Sequence, residues 1–433
     1  MNKFIQVLKT KEIRRRLLFV LLMLAIIRIA SQIPLPNVNS EFFKDYFAGS
    51  GNDAFSFLNA FTGGGFEKFS IFALSITPYI TASIIVQLLT IAFPSLEEWT
   101  RDGEEGRKKL TNLTRYLTVG LSLFESVAMC IGFGNQLLVN KAPLDYISVI
   151  AALTGGSCIL MWFGDRIDEY GIGNGVSIIL LVNILSRVPQ DMITLYDNFV
   201  KGRTIAKSAV AWAVIAAVII GVTVLTVFVN GAERRIPVQY SQKMAGRRML
   251  GGQGSQIPLK VNTGGVIPVI FASSIMSFPG IIVAFVGKKP GGIGGTLIDM
   301  LSSSNWFSPS NWLLTIGWVV YVLLVVFFAY FYTEITFNPI EVADNLRKSG
   351  GLVPGIRPGK PTQDYLSGIL KYVIFIGAAG LVAVCTIPFI FNGLFNANVS
   401  FGGTSLIIIA SVILETLDQV NSMLVARTYK GFL

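Results

Sequence analysis

Apolar runs of about twenty residues recur ten times along this chain, and a helix of that length spans the hydrocarbon core of a bilayer. The runs centre on residues 17–33, 71–93, 116–138, 147–163, 174–195, 208–230, 264–286, 312–333, 368–390 and 403–426. Over 433 residues, 52% of side chains are hydrophobic and only 14% charged, too apolar a balance for one or two soluble cores. The pattern predicts an all-α, polytopic membrane protein with ten transmembrane helices. The first run follows Lys3, Lys9, Lys11 and Arg14 to Arg16 and ends at Ile33-Pro34-Leu35-Pro36 without a small-residue cleavage pattern, so it reads as a retained span.

One run is interrupted. Gly63, Gly64 and Gly65 precede the second span, and Thr77 and Pro78 sit inside it. Irregular backbone at membrane depth needs protein or a water-filled cavity around it, because lipid offers no partner for a freed N–H or C=O group. A pore with a broken helix beside it is the expectation.

The excess of basic residues, 35 against 25 acidic, lies in loops between spans, which favours headgroups and partners on one face over nucleic acid. The basic N-terminal segment puts both termini in the cytoplasm. Arg187, Lys201, Arg203 and Lys207 run against that bias, in a connection near the middle of the chain. Residues 196–207 within it divide the chain into halves at 1–195 and 208–433. With five spans in each, the second half enters in the opposite sense, as an inverted repeat. Two loops on the cytoplasmic side, 231–262 and 334–364, are long and basic, the mark of a docking surface for a large partner.

Much chemistry is excluded by composition. The chain has no histidine, so histidine-based triads, zinc sites and imidazole relays are absent. Cys130, Cys158 and Cys385 lie in apolar runs and read as buried hydrophobes. Gly359-Lys360-Pro361-Thr362 only imitates the end of a phosphate loop, and Gly171-Ile172-Gly173-Asn174-Gly175 reads as a tight turn in which Asn174 or a neighbouring polar group caps the next helix. No enzyme activity and no cofactor are expected. Glu125, Glu415 and Asp418 are the intramembrane carboxylates, and the last two share a helix face. They supply the case for an alternative, a secondary transporter of a small solute. Ile80 with Ile84, and Val176 with Leu180, are spaced to face one direction, which by itself is ordinary packing.

Six strings run through nearly the whole chain: TPYITASIIVQLLT (77–90), EEGRKKLTNLTRY (104–116), EYGIGNGVSIIL (169–180), PLKVNTGGVIPVIFASSI (258–275), FNPIEVADNLRKSGGLVPGIRPGKPT (337–362) and FGGTSLIIIASVILE (401–415). On these the chain resembles the SecY family, the central channel of the bacterial general secretion machinery, related to the archaeal and eukaryotic Sec channels. The resemblance implies two pseudo-symmetric inverted halves around a pore that passes unfolded secretory polypeptides and releases apolar segments sideways into the cytoplasmic membrane. It places Ile80, Ile84, Val176, Leu180, Ile270 and Ile408 in an aliphatic ring at the waist, with Val176 and Leu180 standing where isoleucine is common. It makes residues 57–73 a short plug helix, including Asn59, Phe61, Gly63, Gly64, Gly65, Phe66 and Phe69. It also implies a lateral gate on whose helices Gln87, Ser273 and Ser274 sit, positioned to hydrogen-bond across the closed seam. Arg247, Arg248, Arg357 and Lys360 become docking residues for the SecA motor ATPase and the translating ribosome, with SecE and SecG as small membrane partners.

Overall fold

The computed structural model describes residues 10–39, 42, 59, 61–138, 142–199, 205–240, 244–245, 248–249, 255–286, 291–307, 312–395 and 403–430. It is mostly helical. In order come α1 (Lys11–Ala30), α2 (Thr77–Ala92), α3 (Pro94–Arg101), α4 (Gly103–Phe133), α5 (Pro143–Tyr170), α6 (Gly175–Phe199) and α7 (Ile205–Gly231). After the first long loop follow α8 (Ile267–Val286), α9 (Ile293–Leu301), α10 (Ile316–Thr336), α11 (Pro339–Lys348), α12 (Lys360–Phe395) and α13 (Gly403–Lys430). Seven helices are long and apolar enough to cross a membrane. An eighth span counts if α2 and α3, bent by 108° at Phe93, are taken together.

Proline and glycine set several of the boundaries. Pro78, Pro94, Pro143 and Pro339 each occupy the first turn of a helix, where a missing N–H costs nothing. Asn174 caps α6 as expected, its Oδ1 accepting from Ser177 N at 3.1 Å. The imitation phosphate loop is the start of α12, with Thr362 Oγ1 donating to Arg357 O at 2.8 Å. All three cysteines are free, Cys130 and Cys385 buried.

The helices pack in two groups, largely split by their order in the chain. On one side α1 packs on α5 and α6, α2 on α4 and α5, α4 on α5, and α5 on α6. On the other, α8 packs on α10, α10 on α12, and α7 on α12 and α13. The main helix contacts between the two groups are α4 on α8 and α6 on α13. One large apolar cluster fills the centre and draws side chains from both groups.

Three expectations change. The chain was expected to be all-α, yet its two long basic loops contain strands: β1 (Glu233–Tyr240) pairs antiparallel with β4 (Ser255–Lys260) and with β5 (Gly351–Leu352), while β2 (Met244–Ala245) pairs with β3 (Arg248–Met249). The all-α reading missed them because β1 alternates only briefly, with Ile236 and Val238 buried on one side of Pro237. The consequence is that the two basic loops form one sheet, seated on Ala343 of α11 and Leu366 of α12. The plug was expected as a short helix. In the described residues only Asn59, Phe61 and Thr62 are helical, and 63–76 is a chain of turns with positive φ at Gly63, Gly64, Phe69 and Ser75. Finally, the connection expected over 196–207 is helical at both ends, since α6 runs to Phe199 and α7 starts at Ile205. Residues 200–204, like Phe57, Leu58, Ala60 and Arg247, lie outside the described residues.

Candidate functional site

Four helices converge at the centre. Ile80 and Ile84 come from α2, Val176 and Leu180 from the first turns of α6, Ile270 from α8 and Ile408 from α13, and all six belong to the central apolar cluster. Ile84, Leu180, Ile270 and Ile408 are buried, while Ile80 and Val176 are half-buried against them. Burying an aliphatic side chain of this size stabilises by about 1.5–3 kcal/mol, with no directional requirement.

Phe61, Phe72 and Ile76 of the turn-rich segment join the same cluster, so the segment is packed into the same apolar core as those side chains. Phe66, Phe69, Ala73 and Leu74 belong to a second cluster with Met129 and Phe133 of α4 and Leu153 of α5. Gly156 on α5 lets the backbone come in, because a Cβ there would collide with the carbonyl of Ile71.

Polar groups complete the seat. Arg28 of α1 donates to Gly63 O at 3.3 Å and to Asn183 Oδ1 at 3.4 Å. Asn183 Nδ2, on α6, donates to Phe61 O at 3.0 Å and Ser75 Oγ at 3.3 Å, and Ser186 Oγ donates to Gly63 O at 3.4 Å. Arg187 pairs with Glu67 at 3.7 Å, and Lys68 bonds to Gln32. Arg187, the charge that ran against the loop bias, therefore lies within α6 and serves the segment. Arg28, Asn183 and Ser186 were missed in the sequence. The available signal was a lone Arg and a lone Asn inside apolar runs, which are costly unless partnered.

The seam differs from expectation. Gln87 does not bond to Ser273 or Ser274: its Nε2 donates to Ser83 Oγ, one turn back on its own helix, at 3.4 Å, and its Oε1 has no partner. A local acceptor four residues away is always within reach, whereas a cross-seam partner requires register between two elements. Ser273 is buried in α8 and Ser274 half-buried.

At the far end of the bundle, Arg357 and Lys360 are exposed on the turn that joins the sheet to α12, with Val353 and Ile356 packed beneath them. Arg248 lies in β3. Asp418 does not form a carboxylate site with Glu415, because it pairs with Lys260 of β4 at 2.9 Å. The same corner holds Asn230 Nδ2 on Ser411 Oγ at 2.6 Å and Asn262 Nδ2 on Gly265 O at 2.9 Å. The Gly173 amide reaches Gln419 Oε1 across the two helix groups. Among the described residues no three His, Cys, Asp or Glu side chains gather into a metal-holding group.

A family model described as SecY matches residues 70–417. A protein translocase subunit SecY of Mycobacterium bovis is 39% identical over 450 residues, covering 100% of both chains. A solved SecY structure, described as having a plug domain that stabilises the closed state of the translocation channel and maintains a membrane seal, superposes with TM-score 0.62. Its identity is 18%, covering 94% of this chain and 92% of the other. Sec61 in the canine ribosome-channel complex from the endoplasmic reticulum gives TM-score 0.61 at 18% identity with the same coverage. At that identity the two structures speak for the fold.

Proposed function

The chain belongs to the SecY family, and on that premise we propose that it forms the pore through which unfolded polypeptides cross the membrane and apolar segments enter it. It is a multi-pass membrane protein and a channel, not an enzyme. The observation that carries this reading is the meeting of six aliphatic side chains from four helices in one cluster, with a buried, turn-rich segment seated on it.

In this reading the helices form ten spans in two inverted halves, α1 to α6 and α7 to α13, hinged at 196–207. Ile80, Ile84, Val176, Leu180, Ile270 and Ile408 are the waist. Branched aliphatic groups part around any passing side chain without hydrogen-bonding to it, and a narrow apolar constriction resists ions by dewetting. The 57–73 segment is the plug. The contact of α4 with α8 is the lateral gate, with Gln87, Ser273 and Ser274 near it, and its opening exposes a passing chain to lipid. Leu, Ile, Phe and Val each favour the bilayer by about 0.3–0.6 kcal/mol and a central charge disfavours it by about 2.5–3.5, so partitioning sorts anchors from secreted chains.

The sheet built from both basic loops, with Arg247, Arg248, Arg357 and Lys360, is the docking face for SecA and for the ribosome, the latter in line with the canine complex. SecE and SecG are its small membrane partners. Both termini lie on that face, in the cytoplasm of a bacterial cell. A solute transporter has lost its best argument, since Asp418 is committed to an exposed pair with Lys260.

Reconstitution tests the reading. The chain with its small partners in proteoliposomes, given SecA, ATP and a secretory precursor, should render the precursor protease-resistant. Arg357→Glu should abolish that transport while leaving the channel folded. Uptake of a small solute with no polypeptide translocated would contradict it.

A further inference from the structure

We infer that Arg28 and Asn183 form a latch that sets how firmly the 61–76 segment stays seated, gripping it through its backbone rather than its side chains. The inference rests on the reading of that segment as a plug and adds what holds it. The acceptors are the carbonyls of Phe61 and Gly63, with the Ser75 hydroxyl beside them, and the Ser75 hydroxyl itself donates to Phe61 O at 3.1 Å. These carbonyls lie where the chain leaves a helical turn, beside a reversal with φ of +64° at Gly63 and +85° at Gly64, and they accept from α1 and α6. Left unpaired at this depth, each would carry the cost of a buried acceptor; paired, they fix the segment in one place.

The donors have features of a release device as well as a fold contact. Both come from outside the segment, one from α1 and one from α6, so the segment can depart without either helix unfolding. Asn183 is buried, at 3% exposure, and serves Phe61 O and Ser75 Oγ while accepting from Arg28, which makes it the centre of the network. Among the described residues Arg28 has no carboxylate within ion-pair distance, so its charge is committed to neutral oxygens that water can replace when the segment moves. A cation locked to a buried carboxylate would hold more tightly and release less readily. Phe66 and Phe69 supply apolar adhesion, which fixes no register, whereas the latch fixes the register of the segment above the six aliphatic side chains.

The test uses the full channel complex in sealed proteoliposomes. Ser70, fully buried and with an unpartnered hydroxyl, is replaced by cysteine as a reporter, and its reaction with a membrane-impermeant maleimide reads unseating. Asn183→Leu and Arg28→Met should each raise the labelling rate about tenfold or more and let a precursor with a weakened signal through, while Arg28→Lys, which keeps a donor, restores slow labelling. A variant that misassembles is replaced by Gly63→Ala, whose Cβ meets Arg28 and Ser186 and would displace the segment with both latch residues intact. Labelling as slow as in the parent for Asn183→Leu, or for Gly63→Ala, overturns the latch. If the parent exports no precursor but labelling still rises, the latch stands and the channel reading fails.

Discussion

On the proposed reading, the aliphatic cluster and the polar seat of the 61–76 segment close one path by opposite chemistry. Ile84, Leu180, Ile270 and Ile408 are buried in one apolar cluster and their side chains carry no hydrogen-bonding groups, which on the proposed reading lets the closure re-form after any sequence has passed. In the seat, Arg28, Asn183, Ser186 and Arg187 make directional bonds to one segment of this chain. The difference teaches that, on this reading, tolerance and specificity are separated in space: the apolar cluster is the permissive seal and the polar seat the selective one.

Making the waist polar should break that division most severely. Leu180→Asn places an amide where exposure is 2%, and the wetted constriction should raise resting ion conductance about a hundredfold in planar bilayers, from about 2–4 kcal/mol of lost dewetting and packing. Leu180→Ile, which keeps the surface apolar, should stay within about twofold of the parent in the same recording. Next in size, Ile408→Ala leaves a cavity at a fully buried position and should cost about 2–5 kcal/mol, read as a lower melting temperature in detergent. Glu67→Gln should have a smaller effect, because its pair with Arg187 spans 3.7 Å with Glu67 partly exposed; maleimide labelling of the seat should rise about two- to threefold and depend on salt. Smallest of all, Lys260→Ala removes a pair with Asp418 in which both side chains are more than half exposed, and stability should change by about 0–1 kcal/mol.

Seven of the ten spans read from hydropathy, or eight with the bent α2–α3 pair, are helices long and apolar enough to cross a membrane, because hydropathy over about twenty residues is a strong, local signal. The breaks were legible too, in Gly63 to Gly65 and in Pro78, and the structure turns them into the seat and the start of α2. Long-range pairing was not. Periodicity put Ile80 and Ile84 on one face but could not say that Ile270 and Ile408 meet them; the family resemblance supplied that grouping, and the central cluster contains all six. Gln87 illustrates the limit from the other side, since a polar side chain expected to bond across a gate found Ser83 on its own helix. Arg187 looked like a stray loop charge until the segment it pairs with was placed, and Arg28 and Asn183 had meaning only once the carbonyls of Gly63 and Phe61 were turned towards them. The sheet escaped because Gly351–Leu352 joins it from more than a hundred residues away from β1, with two residues of strand to announce it.

The central claim is that a polypeptide passes between the six aliphatic side chains. The direct measurement places a photo-crosslinking residue in a secretory chain stalled halfway through the reconstituted channel and maps the adducts by mass spectrometry. Adducts at Ile80, Val176, Ile270 and Ile408, shifting little as the stalled sequence is varied, are the predicted result. Adducts confined to the lipid-facing sides of α7 and α10, with none at those four positions, would contradict it.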